Sequence, residues 1–344
     1  MLIFYFILAL IVLLSVRYQK TGFVDNYLSM DTTNVIKGVF IILVFIKHAT
    51  SYVIQAGWTP EGMWGELFHF VNNNVGQWIV AMFLFYSGYG IMESIKRKGR
   101  KYVLQIPRKR FLQVLVNFDI AVVIFILVDI LLNKPIDLKQ CLLSFTGWES
   151  VGNSNWYIFI ILIMYLLTYL SFYKKSDEDY KVQLGILLFS TLVLCVLLSY
   201  FKAQYWYNTM FCYAAGVFFS VYKEKVENIA KSHYWKILVA GIITLLLIDR
   251  IPYSVKGLVY NAFSVVFCSV ILLVTMKFKF NSPILLWCGK NLFPLYIYQR
   301  ISMMVFSCIN DGSFADGYPF LFTVACLTVT IMITKGYKYI SIKL

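Results

Sequence analysis

Apolar runs of about twenty residues recur along the whole chain, separated by short polar segments. At 1.5 Å rise per residue, a helix of about 20 residues crosses the roughly 30 Å hydrocarbon core of a bilayer. Eleven such runs are read, at roughly 1–16, 34–54, 74–94, 112–132, 156–173, 182–201, 206–222, 236–250, 257–276, 285–309 and 318–334. The expected fold is all-α, a polytopic transmembrane bundle of about eleven helices. Only 14% of residues are charged, where a soluble domain carries about a quarter. The tenth run is the least regular, because Lys290, Pro294 and Arg300 interrupt it. The polar segments leave no room for a separate soluble domain, and no internal repeat is visible.

Charge in the loops orients the bundle. The segment "KRKGRKYVLQIPRKR" (Lys96–Arg110) holds eight Lys or Arg and no acid, which assigns it to the cytoplasmic side. Alternation then puts 17–33, 174–181, 223–235, 277–284 and 335–344 inside as well, and gathers most of the basic residues there. The N-terminus is expected outside and the C-terminus inside. The external loops are 55–73, 133–155, 202–205, 251–256 and 310–317. The first two are the longest, and are either ordinary connections or a lid over a binding mouth. The start, "MLIFYFILALIVLLSV", lacks a basic n-region and a small-residue cleavage site, so it is expected to stay as a membrane helix.

The same composition excludes several functions. A net charge of +14 follows from the basic inner loops, and no nucleic-acid-binding motif or basic tail accompanies it. The seven cysteines are scattered, without CxxC pairs or histidines at ligand spacing, so neither a metal site nor a disulfide framework is expected. A G-x-S-x-G elbow, a P-loop and a dinucleotide fingerprint are absent.

Chemistry concentrates in "VIKGVFIILVFIKHATSYV" (Val35–Val53). Ionisable groups at membrane depth are costly and mark function by default. Lys37 stands at the cytoplasmic end of this run and His48 in its outer half. Eleven residues are about three helical turns, so both side chains share one face about 16 Å apart along the axis. Asn34, Ser51 and Tyr52 fall on or near that face. Lys47 points about 100° away and is expected to reach the outer interface. A cation below and an imidazole above suggest a polar path, with His48 as general base. Asp119, Asp129 and Arg300 are further intramembrane charges whose partners are open at this stage, Asp119 being able to pair with Lys37 or a loop arginine.

"VIKGVFIILVFIKHA" resembles the opening motif of membrane acyltransferase family 3: a basic residue followed by Gly, an aliphatic run, then His. "MFLFYSGYGIMES" (Met82–Ser94), the basic segment leading into "FLQVL", "SNWYIFIILIMYLL" (Ser154–Leu167) and "GKNLFPLYIYQR" (Gly289–Arg300) resemble later family segments in family order. The likeness covers most of the chain from about residue 30. It divides the chain into an extra N-terminal transmembrane helix and loop, 1–33, and a membrane acyltransferase domain, 34–344. Two departures stand out: Lys37 where the family often has Arg, and Tyr298-Gln299 where many members carry His.

The resemblance implies an O-acyltransferase moving an acyl group, commonly acetyl, from acetyl-CoA to a hydroxyl of a polysaccharide or its lipid-linked precursor. His48 is then the catalytic base. Lys37, Arg108 and Arg110 are expected to hold the donor, whose phosphates suit Arg forks. Trp156, Tyr296 and Gln299 are expected to contact the acceptor. No permanently bound cofactor and no nucleic acid are expected, and proteins of polysaccharide assembly are candidate partners. The expected location is the cell membrane, in a bacterium the cytoplasmic one. The competing reading is a transporter or glycan exporter without acyl-transfer chemistry. Missing internal repeats and missing matched broken helices weigh against it, while the irregular tenth run supports it.

Overall fold

The computed structural model describes residues 1–174, 180–248 and 253–344. Residues 175–179 of the expected inner loop 174–181, residues 249 and 250 of the expected run 236–250, and residues 251 and 252 of the expected outer loop 251–256 lie outside them. All eleven expected runs carry helix: α1 (Leu2–Ser15), α2 (Met30–Gln55), α4 (Trp78–Lys98), α5 (Gln113–Leu131), α6 (Trp156–Phe172), α7 (Lys181–Phe201), α8 (Phe211–Val221), α10 (Tyr234–Leu246), α11 (Tyr253–Lys277), α12 (Pro283–Lys290) with α13 (Leu292–Ser307), and α14 (Pro319–Ile340). Two further helices of ten residues or more lie between them among the described residues, α3 (Gly62–Val75) and α9 (Lys223–Ser232), with shorter helical turns at Arg100–Val103, Leu138–Ser144 and Ser313–Gly317. Among the described residues, six helices are long and apolar enough to cross a membrane, or seven if the 95° bent pair α9–α10 is one span. The chain is a helical membrane protein.

Local chemistry explains the ends. Ser29 starts α2 by accepting a hydrogen bond from the Thr32 amide, with Asp31 in the first turn where the helix dipole favours an acid. Ser282 caps α12 in the same way, ahead of Pro283. The tenth run breaks between Lys290 and Leu292, so α12 and α13 are separate helices. The stretch expected as a basic loop is mostly helical: α4 runs to Lys98, Gly99 turns the chain at φ +57°, and a short helix and a π-helical turn (Pro107–Leu112) lead into α5. One element departs from the all-α expectation, a two-strand antiparallel ribbon of β1 (Val16–Tyr18) and β2 (Phe278–Phe280) with Val16 opposite Phe280.

The expected inner loops meet one another at one end of the bundle. Besides the ribbon, Lys277 donates to the Gly22 carbonyl (2.8 Å) and Tyr27 to Glu227 (2.8 Å), and Asn117, near the inner end of α5, donates to the Ile342 carbonyl of the last inner segment (2.8 Å). Burial and the Glu227 carboxylate hold the Tyr27 hydroxyl well above its ordinary pKa, so it stays a donor. The expected outer segments meet at the other end: Tyr5 donates to Asn72 (3.2 Å) and Lys202 to the Trp148 carbonyl (2.7 Å).

Two glycine contacts set the centre. A Cβ on Gly38 would lie 1.9 Å from the Leu285 carbonyl oxygen, and one on Gly289 would lie 1.8 Å from that of Asn34, so α2 and α12 touch backbone to backbone. Gly88 of α4 and Gly216 of α8 meet the Tyr213 and Phe85 carbonyl oxygens in the same way, at 2.1 Å each. The Gly of the Lys37-Gly38 pair is thereby explained by packing. With α12 seated on Gly38, the neighbouring Lys37 side chain, about 100° round the helix, turns towards α4. Gly38→Ala and Gly289→Ala are expected to cost more than about 3 kcal/mol, since carbonyl oxygens cannot yield as flexible side chains do. The monodisperse peak in fluorescence-detected size-exclusion chromatography should largely disappear for both. A wild-type profile would show that the two helices can part without harm.

Candidate functional site

Lys37 projects from the inner third of α2 into a cavity of about 700 Å³. Its walls come from Thr33 and Lys37 of α2, from Tyr86, Ser87, Tyr89, Glu93 and Arg97 of α4, from Arg110, and from Tyr165 of α6. Three cations therefore face one space. The carboxylate among them, Glu93, is already engaged by Lys96 (3.0 Å) and by the Ser220 hydroxyl (2.6 Å). The Lys37 ammonium sits 5.7 Å from the centre of the Tyr86 ring. Arg110 reaches the cavity from the π-helical turn, where the wider winding changes the phase of the side chains that follow Pro107. Its Nε donates to the Tyr102 hydroxyl at 2.9 Å. Arg108, on the same turn, is not part of the cavity wall.

A line of hydroxyls leads outward from this cavity. The Tyr165 and Tyr157 hydroxyls are both turned to the Ser87 side chain. Tyr157 and Tyr165 stand two turns apart on α6, so Ser87 links one level of the bundle to the next. The Tyr157 ring then meets Tyr296 of α13 edge to face, with centroids 5.3 Å apart. Tyr296 is fully enclosed, one turn before Arg300.

His48 stands at the outer end of that line. Its Nδ1 is buried and has no hydrogen-bond partner among the described residues. The charge acting on the ring is that of Arg300. The guanidinium of Arg300 lies 5.6 Å from the Tyr52 ring centre and donates from Nη1 to the Asn153 carbonyl at 3.4 Å, while its buried Nε is without a partner among the described residues. A partly open imidazole beside an incompletely satisfied guanidinium can take a proton from a hydroxyl and face a developing negative charge.

The other sequence candidates fall as follows. Trp156 begins α6 and packs edge to face against Tyr157 and Tyr205, at 6.2 and 6.0 Å, on the outer face. Gln299 is buried about 100° round α13 from Arg300, in the wall of an apolar groove with Phe4 and Leu8 of α1 and Phe45 of α2. Lys47 donates to the Asn72 carbonyl of α3, so it ties that helix down instead of running free to the interface. Asp119 has a buried oxygen without a partner among the described residues, and neither Lys37 nor a loop arginine bonds it. Asp129 pairs with Lys134 at 3.8 Å near the outer end. The described residues hold no cluster of three metal-ligating groups, and all seven cysteines are free thiols.

Sequence reasoning passed over Ser87, Tyr157, Tyr165 and Arg97 as separate candidates. The signal that could have found Ser87 is the run "FYSGY", a hydroxyl between aromatics beside a close-packing glycine.

A family model described as an acyltransferase domain matches residues 30–335, starting at the first residue of α2 and ending within α14. No curated protein and no solved structure matches the chain.

Proposed function

The chain belongs to membrane acyltransferase family 3, and on that premise we propose that it moves an acyl group, in the first instance acetyl, from acyl-CoA to a hydroxyl of a cell-surface polysaccharide or its lipid-linked precursor. One observation carries this reading: a cavity with three cations lies at one end of α2 and a histidine under the charge of Arg300 at the other, with Ser87, Tyr165, Tyr157 and Tyr296 packed between them. The proposed topology has eleven crossings, with the N-terminus outside and the C-terminus inside. The contacts among the inner loops at one end and among the outer loops at the other support it, as do the cations of the inner cavity, the side on which a CoA donor is made.

Lys37, Arg97 and Arg110 hold the phosphates of the donor, which supplies an acyl group in thioester linkage. Arg108 stands outside that cavity and has at most a part at its mouth. His48 removes the proton of the acceptor hydroxyl as its oxygen bonds to the acyl carbon. The carbon–sulfur bond then breaks, and the imidazolium returns the proton to the departing thiolate. Arg300 faces the charge that gathers on the carbonyl oxygen. Tyr296, enclosed one turn before Arg300, backs the acceptor's side of this route, and Trp156, packed on Tyr157 and Tyr205, lines none of the cavities described. Gln299, in its apolar groove, is the least suited of the three to touch a glycan.

The reading is tested with purified protein in nanodiscs, labelled acetyl-CoA and isolated polysaccharide. The wild type should place label on the glycan, and absence of transfer under all donor and acceptor combinations would remove the reading. Loss of one charge-assisted phosphate contact weakens binding by about 1.5–3 kcal/mol, roughly 10–100-fold. Lys37→Met and Arg110→Met should therefore each raise the KM for acetyl-CoA by that factor with little change in kcat. An unchanged KM in both would take the donor out of this cavity.

A further inference from the structure

A second polar cavity, of about 320 Å³, opens at the outer end of the bundle. It is lined by Tyr52 of α2, by Asp129 near the end of α5, and by Lys134, Ile136, Gln140 and Met304. At about 30 Å³ per water in the liquid, it has room for about ten water molecules, or for one sugar ring. Tyr52 is one turn beyond His48 on α2, and its ring contacts Arg300, so the cavity borders the proton acceptor. From these features we infer that this cavity is the acceptor subsite and takes one neutral sugar ring, an inference that rests on the acyl-transfer reading above.

The lining matches that ligand in kind. Asp129 is buried and offers carboxylate oxygens, and Lys134, 3.8 Å away, offers an ammonium. The Gln140 side-chain nitrogen is held by the Ser150 carbonyl at 2.6 Å, which leaves its oxygen to accept. Hydroxyl groups both donate and accept, and so suit such a mixed set. Asp129 and Lys134 cancel in charge within the lining, and Arg300, behind the Tyr52 ring, is assigned to the acyl carbonyl, so the lining itself favours a neutral ring over a phosphate or a uronate. Pro135, Ile136, Val151 and Met304 supply the apolar wall on which the C–H face of a pyranose can rest. Gly152 completes the wall with bare backbone: a Cβ there would come within 2.5 Å of the Met304 sulfur.

The test uses Asp129→Asn, which removes the charged acceptor, and Ile136→Trp, which fills the cavity from its partly exposed rim without touching the ion pair. The probes are methyl glycosides of glucose, galactose and rhamnose, with glucuronic acid as the anionic comparison. Binding is read by saturation-transfer NMR on the nanodisc-embedded protein, and acyl transfer is measured at saturating acetyl-CoA. Both variants should raise the KM for a neutral glycoside at least tenfold and lose its NMR signal, while acetyl-CoA affinity stays at the wild-type value. Wild-type glycoside binding in both variants, preference for the uronate, or acylation of polyprenyl-linked glycan only, without saturation by free glycosides, would overturn the subsite. Glycoside binding at this cavity without any acyl transfer would keep the sugar site and discard the acyltransferase premise.

Discussion

His48→Ala is expected to lower acyl transfer by about 10²–10⁴-fold, the range that a positioned general base supplies. Acetyl-CoA affinity should stay within about twofold of the wild type, because Lys37 lies about three helical turns from the imidazole. The contrast between transfer and binding separates a base from a merely structural histidine. The Nδ1, unpartnered among the described residues, strengthens that contrast, since no hydrogen bond between the described helices depends on it. Removing the ring leaves a void, so the thermal midpoint of His48→Ala should fall modestly, whereas His48→Gln, which fills most of that space, should keep the wild-type midpoint. His48→Gln keeps a hydrogen-bonding side chain of similar reach but cannot shuttle a proton, so it should fail as badly as Ala. Transfer within threefold of wild type, at equal protein level, would show that another group takes the proton.

Much of the helical layout was legible, because hydrophobic runs and punctuation are local signals. The Lys37–His48 face was legible for the same reason, since helical phase within one segment needs no partner. What escaped was set by packing between helices. The Gly38–Leu285 and Gly88–Tyr213 approaches join residues far apart in the chain, and nothing near Gly38 in sequence announces α12. The π-helical turn that carries Arg110 into the cavity while Arg108 stays outside depends on a one-residue change of winding. Gln299 and Arg300 make the point most sharply. They are adjacent, hence about 100° apart on α13. The family resemblance drew attention to Gln299, yet packing turns it into an apolar groove and sets Arg300 beside His48. Which of two neighbours faces a polar line is decided by the opposing helices.

Arg300 yields the second large effect, and with an unusual signature. The residue is a cation at membrane depth with no acidic side chain bonded to it among the described residues, and its Nε is unsatisfied. Such a group destabilises the fold unless something compensates, and the Tyr52 side chain, whose ring and hydroxyl both face it, and one long bond to the Asn153 carbonyl are neutral partners that compensate a buried charge less than a carboxylate would. A residue kept for stability would be better paired. Arg300→Met should therefore leave the thermal midpoint unchanged or raise it, because an uncompensated buried charge is replaced by an apolar chain of similar length. The same substitution should lower kcat by about 10²–10³, the usual effect of removing one donor to a developing oxyanion, with the KM for acetyl-CoA little altered. Arg300→Lys should recover part of the rate, since a point charge can face the carbonyl oxygen without the planar fork of guanidinium. A lower midpoint together with an unchanged kcat in Arg300→Met would reverse this assignment and make the arginine an anchor for the Asn153 loop.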